Sequence, residues 1–103
     1  MDPYIEAAQR PEETTICQLC ERQRSLSFHH LIPRTVHSNK WFKKNFDREQ
    51  MTRSGVMVCR DCHRLIHRTF SAKELGREYN TLQLLRAHIT ITAYISWVQR
   101  RQR

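Results

Sequence analysis

The chain has 103 residues, within the size of one domain, and its 39% hydrophobic content supports only a modest core, so a metal staple would help it fold. Eighteen Lys and Arg against ten Asp and Glu give +8 with neutral histidines. That balance favours an anionic partner, nucleic acid first, although a basic surface kept for solubility reads equally well from charge alone. No apolar run approaches the roughly 20 residues of a membrane span, and the opening Met-Asp-Pro-Tyr-Ile-Glu lacks a basic-then-apolar signal pattern. The expectation is a soluble, intracellular, cytoplasmic protein (nuclear or organellar in a eukaryote) with no membrane partner.

In chain order, residues 1 to about 15 read as a short helical or frayed arm, broken at Pro11. The first cysteine pair then makes a tight turn, and Ser25 to Ile32 alternates enough for a strand that Pro33 ends. Residues 34 to 46 are basic with interleaved aromatics and show no period of two or 3.6, which reads as a long ordered loop. Asp47 is an N-cap for a short helix through Met51, and Gly55 releases the chain into a second strand, Val56-Met57-Val58. A helix follows from Asp61 to Phe70. Ser71 and Glu74 form a capping box for the next helix, which Gly76 and Asn80 weaken or end. Thr81 caps Leu82 to His88. Ile91, Tyr94, Ile95 and Val98 follow the i, i+3, i+4, i+7 pattern of an amphipathic C-terminal helix whose basic end suits either the helix dipole or phosphate contacts.

Four cysteines stand in two C-x-x-C pairs, Cys17/Cys20 and Cys59/Cys62. In an unsecreted chain such pairs read as metal ligands before disulfides. A C-x-x-C turn supplies two sulfurs from one knuckle, and two knuckles complete a tetrahedral Zn2+ site. The first pair lies on a turn and the second at the start of a helix after a short strand, which suits a treble-clef finger. A site closed by four sulfurs leaves no place for water, so this zinc is expected to be structural and its loss to unfold the chain.

Of six histidines, His29, His30, His63 and His67 cluster around the cysteines in sequence. His63 and His67, four apart, share one face of the helix that begins at the second knuckle and are placed to share a metal. A surface pair at that spacing is common without one. His37 and His88 have no partner at ligand spacing and read as structural.

His29-His30-Leu31-Ile32-Pro33 followed by Cys59-Arg60-Asp61-Cys62-His63-x-x-x-His67 resembles the HNH, or ββα-metal, nucleases, over about Cys17 to His67. Glu74 to Trp97 is similar to the tail of small HNH proteins. The resemblance implies His29 as a ligand of a catalytic divalent metal (Mg2+, Mn2+, Ni2+ or Zn2+), His63 and His67 as its remaining ligands, and His30 as the general base. The family's middle asparagine is replaced by Ser54, which becomes the candidate for bracing the loop that carries the base; Asn39 and Asn45 are alternatives. Histidine ordinarily titrates near 6.5, which suits deprotonation of water at neutral pH.

Arg34, Lys40, Lys43, Lys44 and Arg64 are expected to contact phosphates without reading sequence. Trp41 and Phe42 read as satellite core before base-stacking groups, and Arg60 and Arg68 as phosphate ligands or a solvated helix face. The whole reads as a small α+β protein: an arm at 1–15, a zinc-stapled ββα-metal core at 16–70 and a helical extension at 71–103 packing on it. The expected activity is hydrolysis of nucleic acid, DNA before RNA. The alternative is a non-catalytic zinc-finger module that binds nucleic acid.

Overall fold

The computed structural model describes residues 16–101; the arm read over residues 1–15 lies outside the described residues, as do the last two positions. Two strands, β1 (Leu26–His30) and β2 (Gly55–Cys59), pair antiparallel. Among the described residues six α-helices accompany them: α1 (Lys40–Asn45), α2 (Arg48–Arg53), α3 (Arg60–Thr69), α4 (Ala72–Glu78), α5 (Leu82–Ala87) and α6 (Ile89–Arg101), with a 3-10 turn over Arg34–Val36. The architecture is α+β. Among the described residues no helix is long and apolar enough to cross a membrane.

The register pairs Leu26 with Cys59, Phe28 with Met57, His29 with Val56 and His30 with Gly55. Strand side chains alternate between faces. His29, Val56 and Val58 are buried on the face packed against α3, while Phe28, His30 and Met57 are half-buried on the other. β2 runs directly into α3, with Cys59 as its N-cap. That junction fixes the start of α3, so Cys62, Leu65 and Ile66 face the core and His63 and His67 are carried on the same helix at i, i+4.

The segment between the strands corrects one expectation. Residues 34–46 were expected to be loop throughout, yet Lys40–Asn45 is helical. The Asn39 side chain caps it by accepting from the Trp41 N–H at 2.9 Å, and Phe42, 1% exposed, anchors it in a small core with Ile32, Val36 and Met51. One and a half turns are too short for a periodic pattern to register. Asp47 does cap α2, in a full capping box with Gln50, and the helix runs to Arg53. Ser71 and Glu74 form the second capping box, at the start of α4.

Gly76, read with Asn80 as weakening or ending the helix, lies buried inside α4, which ends at Glu78. The Phe42 ring occupies the space a Cβ would need, so the small core approaches α4 through this glycine. The larger core joins the four cysteines to Leu75, Leu85, Ile91 and Val98 of the C-terminal helices. Those helices also grip the first knuckle: the Arg86 guanidinium donates to the Gln18 carbonyl at 2.6 Å, lies 3.6 Å from the Glu21 carboxylate, and Gln99 reaches the same carboxylate at 3.3 Å. Among the described residues, α4, α5 and α6 therefore pack on the cysteine cluster.

Candidate metal centre

The knuckle Cys17–Cys20 is closed by Cys17 N–H donating to the Arg22 carbonyl and Glu21 N–H to the Cys17 carbonyl, both at 2.9 Å. Glu21 takes a positive φ of 66° at the corner of that turn. The knuckle is tied to β2 through Gln18, whose N–H donates to the Met57 carbonyl at 2.9 Å and whose side-chain oxygen accepts from Met57 N–H at 2.6 Å. All four cysteines are buried, with sulfurs within 4.8 Å of one another. Sulfurs held about 2.3 Å from a tetrahedral zinc lie about 3.8 Å apart, and Cys20 and Cys59 are separated by 3.9 Å. The cluster is compatible with a structural zinc.

The four thiols act on one another electrostatically. A hydrogen bond from the Cys62 thiol, helped by the backbone N–H groups of Cys20 and Cys59, brings Cys17 down to about 4 despite its burial. Donating that bond, in a buried and negatively charged setting, pushes Cys62 far up, and burial raises Cys59. Cys20 N–H and Cys59 N–H both point at the Cys17 sulfur, at 3.4 and 3.3 Å. Arg22, 9% exposed, donates to the Cys20 sulfur at 3.2 Å, approaches Cys59 at 3.7 Å and reaches the Tyr94 hydroxyl at 3.2 Å. Burial opposes its charge most strongly, but the Cys20 bond together with the electrostatic pull of Cys20, Tyr94 and Cys59 outweighs this and holds the guanidinium above its ordinary range.

A second cluster lies across α3. One nitrogen from each of His29, His63 and His67 falls within a 4.8 Å set, with His29 buried, His63 half-buried and His67 exposed. The His29 ring meets His63 and His67 at centroid distances of 5.3 and 5.2 Å. His29 is 0% exposed, and both its ring nitrogens lack any hydrogen-bond partner among the described residues. Burial, with the neighbouring imidazoles His63, His67 and His30, lowers its pKa to about 3 and keeps it neutral. Burial and the same kind of neighbours lower His63. Buried polar atoms are ordinarily satisfied, and neutral imidazole nitrogens converging in one place have the donor chemistry of a divalent-metal site. His63 Nδ1 is 2.8 Å from the Ser27 hydroxyl, an outer partner of the type that orients a ligating histidine.

His30, next in the strand, points to the other face of the hairpin and lines a cleft of about 920 Å3 with Phe28, Arg34, His37, Lys43 and Arg48 among its neighbours. It remains close enough to depress His29 and His63 electrostatically. Of the expected phosphate contacts, Arg34 and Lys43 border this cleft; Lys40, Lys44 and Arg64 are exposed outside its lining. Arg60 and Arg68 lie on the exposed side of α3. Phe42 is core, while Trp41 stays 37% exposed beneath the Arg77 guanidinium, 4.3 Å from its ring centroid.

Ser54 does not direct its side chain at the loop. Its hydroxyl donates to the Gln50 carbonyl at 2.6 Å, closing α2, and its main-chain carbonyl accepts from Leu31 N–H at 3.0 Å. The residue after His30 is therefore held by backbone. Asn39 and Asn45 serve α1, Asn45 donating to the Trp41 carbonyl at 2.8 Å.

His37, read as structural, stands in the cleft, 6.5 Å ring to ring from His30, its Nε2–H donating to the Ile32 carbonyl at 2.7 Å. His88 does pack structurally, against Phe70 and Tyr79. Ser27, Arg22 and Arg48 escaped the sequence reading. Ser27 could have been found by alternation, because two residues before His29 shares its face; Arg22 carried no pattern beyond standing two residues after Cys20.

Comparison with protein-family models, with curated proteins and with solved structures finds no match to this chain.

Proposed function

We propose that the chain is a metal-dependent endonuclease of the HNH, ββα-metal type, hydrolysing phosphodiester bonds of nucleic acid, DNA before RNA. In this reading the cysteine finger is a treble clef stapled by zinc, and β1, β2 and α3 are the ββα unit. The observation that carries it is His29: a fully buried imidazole with both nitrogens unsatisfied among the described residues, facing His63 and His67. A histidine kept in that state costs stability, and a ligand role accounts for it. The sequence motif His29-His30 with His63 and His67 supplies the rest.

Each group has a role set by its surroundings. His29, His63 and His67 would hold a divalent ion, with exposed His67 marking the side open to substrate. Such an ion offers charge for the phosphate and for the leaving oxygen. His30 takes the proton from the attacking water. Arg34 and Lys43 hold the phosphate chain along the cleft. The Ser54 carbonyl, through Leu31 N–H, keeps the strand end from swinging away.

A second reading, a non-catalytic finger that binds nucleic acid, is favoured by the engagement of the Ser54 hydroxyl with α2. Cleavage of plasmid DNA by the wild type and by His30→Ala separates the two. The nuclease reading expects cleavage that His30→Ala abolishes while fold and zinc content persist; full activity in that variant overturns the assignment, and no cleavage by the wild type with DNA binding intact favours the finger.

A further inference from the structure

We infer that the cleft beside His30 receives an unstacked base, which makes single-stranded or locally unpaired nucleic acid the substrate class; this rests on the nuclease reading above and adds the substrate to it. An antiparallel pair covered by helix on one face ordinarily presents polar side chains on the other. Here that outer face carries Phe28 and Met57, cross-strand partners that line the cleft together with His30. Both are half-buried, as is Phe46 from the α1 side of the same cleft.

The Phe28 ring is held where it is. It lies over Gly55, where a Cβ would collide with it, and it meets the His30 ring nearly at right angles, 4.7 Å between centroids. An aromatic surface is thereby fixed against the imidazole that takes the proton. Around it stand three exposed cations, Arg34, Lys43 and Arg48. Among the described residues of the lining the acidic side chain is Asp47, which is already committed to capping α2.

Cations that follow a phosphate chain, combined with aromatic and apolar side chains that accept base faces, are the two ingredients of sequence-tolerant single-strand binding. A continuous duplex keeps its base faces covered by stacking and would leave this floor wet. At about 920 Å3 the cleft is in the range that encloses a drug-sized ligand, ample for a splayed nucleotide.

The test uses the full chain in two arms. In the first, with zinc retained at the cysteine site and no other metal added, fluorescence anisotropy measures binding of a labelled single-stranded oligonucleotide and of the same strand with abasic sites. The abasic strand should bind about tenfold more weakly, the loss of roughly one base stack, and Phe28→Ala should erase the difference while Phe28→Tyr keeps it. Equal binding of the two strands by the wild type would overturn the inference.

In the second arm, with manganese, the single strand and a duplex with one unpaired bulge should be cut at least about tenfold faster than the perfect duplex, the bulged one at its unpaired nucleotide. Perfect duplex cut as fast as single strand would overturn the inference and leave the nuclease standing. No cleavage of any substrate, with discrimination against the abasic strand intact, would remove the nuclease reading and keep the base cleft.

Discussion

Replacing His29 by leucine should make the ion-free histidine site more stable, an outcome no structural role for His29 allows. The side chain is 0% exposed with two nitrogens unsatisfied among the described residues, and an unpaired buried polar group costs about 1–3 kcal/mol. Leucine, similar in bulk, removes that cost. With the cysteine metal retained and the histidine site emptied by a mild chelator, His29→Leu should be about 1–3 kcal/mol more stable at pH 7 in urea denaturation.

The gap should widen with acid. The folded pKa of His29, about 3, lies below its ordinary 6.5. Below pH 6.5 the unfolded chain takes up a proton that the folded chain refuses. Wild-type stability is therefore lost as pH falls from about 6.5 toward 3, by up to about 1.4 kcal/mol per pH unit, and the variant escapes that loss. Adding an ion at 100 times its dissociation constant should stabilise the wild type by about 2.7 kcal/mol and leave the variant unchanged. A variant less stable than wild type at pH 7 without ion, or stabilised equally by it, would refute the reasoning.

Ser27→Ala should weaken ion binding at the histidine site about 10- to 100-fold through loss of the partner that orients His63, with Ser27→Thr preserving it; isothermal titration reads the affinity and a thermal melt shows the fold unchanged. Arg22→Met should speed release of zinc from the cysteine site to a chromogenic chelator and lower stability by about 1.5–3 kcal/mol, the scale of a charged hydrogen bond; release at the wild-type rate would deny Arg22 that role. Cys59→Ala should abolish the cooperative unfolding transition, because it opens a closed metal site; a soluble, cooperatively folded variant would contradict a structural zinc. Ser54→Ala should cleave at close to the wild-type rate, since the Ser54 contact to Leu31 is main chain, and a large loss would assign the hydroxyl a direct part.

What was legible in the sequence follows from the range of the interactions involved. Capping residues act within three positions, so Asp47, Ser71 and Thr81 could be read directly, and each caps the helix it was assigned. Cysteine spacing and the i, i+4 histidines are equally local, and the two clusters assemble from them. Helix α1 was missed because its signal is one buried ring, Phe42, whose partners Ile32, Val36 and Met51 come from elsewhere in the chain. Gly76 was read only for its effect on α4, which ends two residues later; its packing against the same ring, distant in sequence, left no local signal. His37 was set aside on ligand spacing, a criterion blind to a cleft formed by the 3-10 turn, α1 and α2 together. The outward apolar face of the hairpin was present in the alternation of Phe28 and Met57, but which face α3 covers is decided only by the β2–α3 junction.

The measurement that bears most directly on the account is a titration of divalent manganese or nickel into the zinc-loaded protein, following supercoiled-plasmid nicking and ion binding in parallel, for the wild type and for His63→Ala. Half-maximal nicking should fall at the dissociation constant of the histidine site, and His63→Ala should shift both to higher concentration together. Nicking that needs no added ion, or that His63→Ala leaves untouched while ion binding is lost, would contradict it.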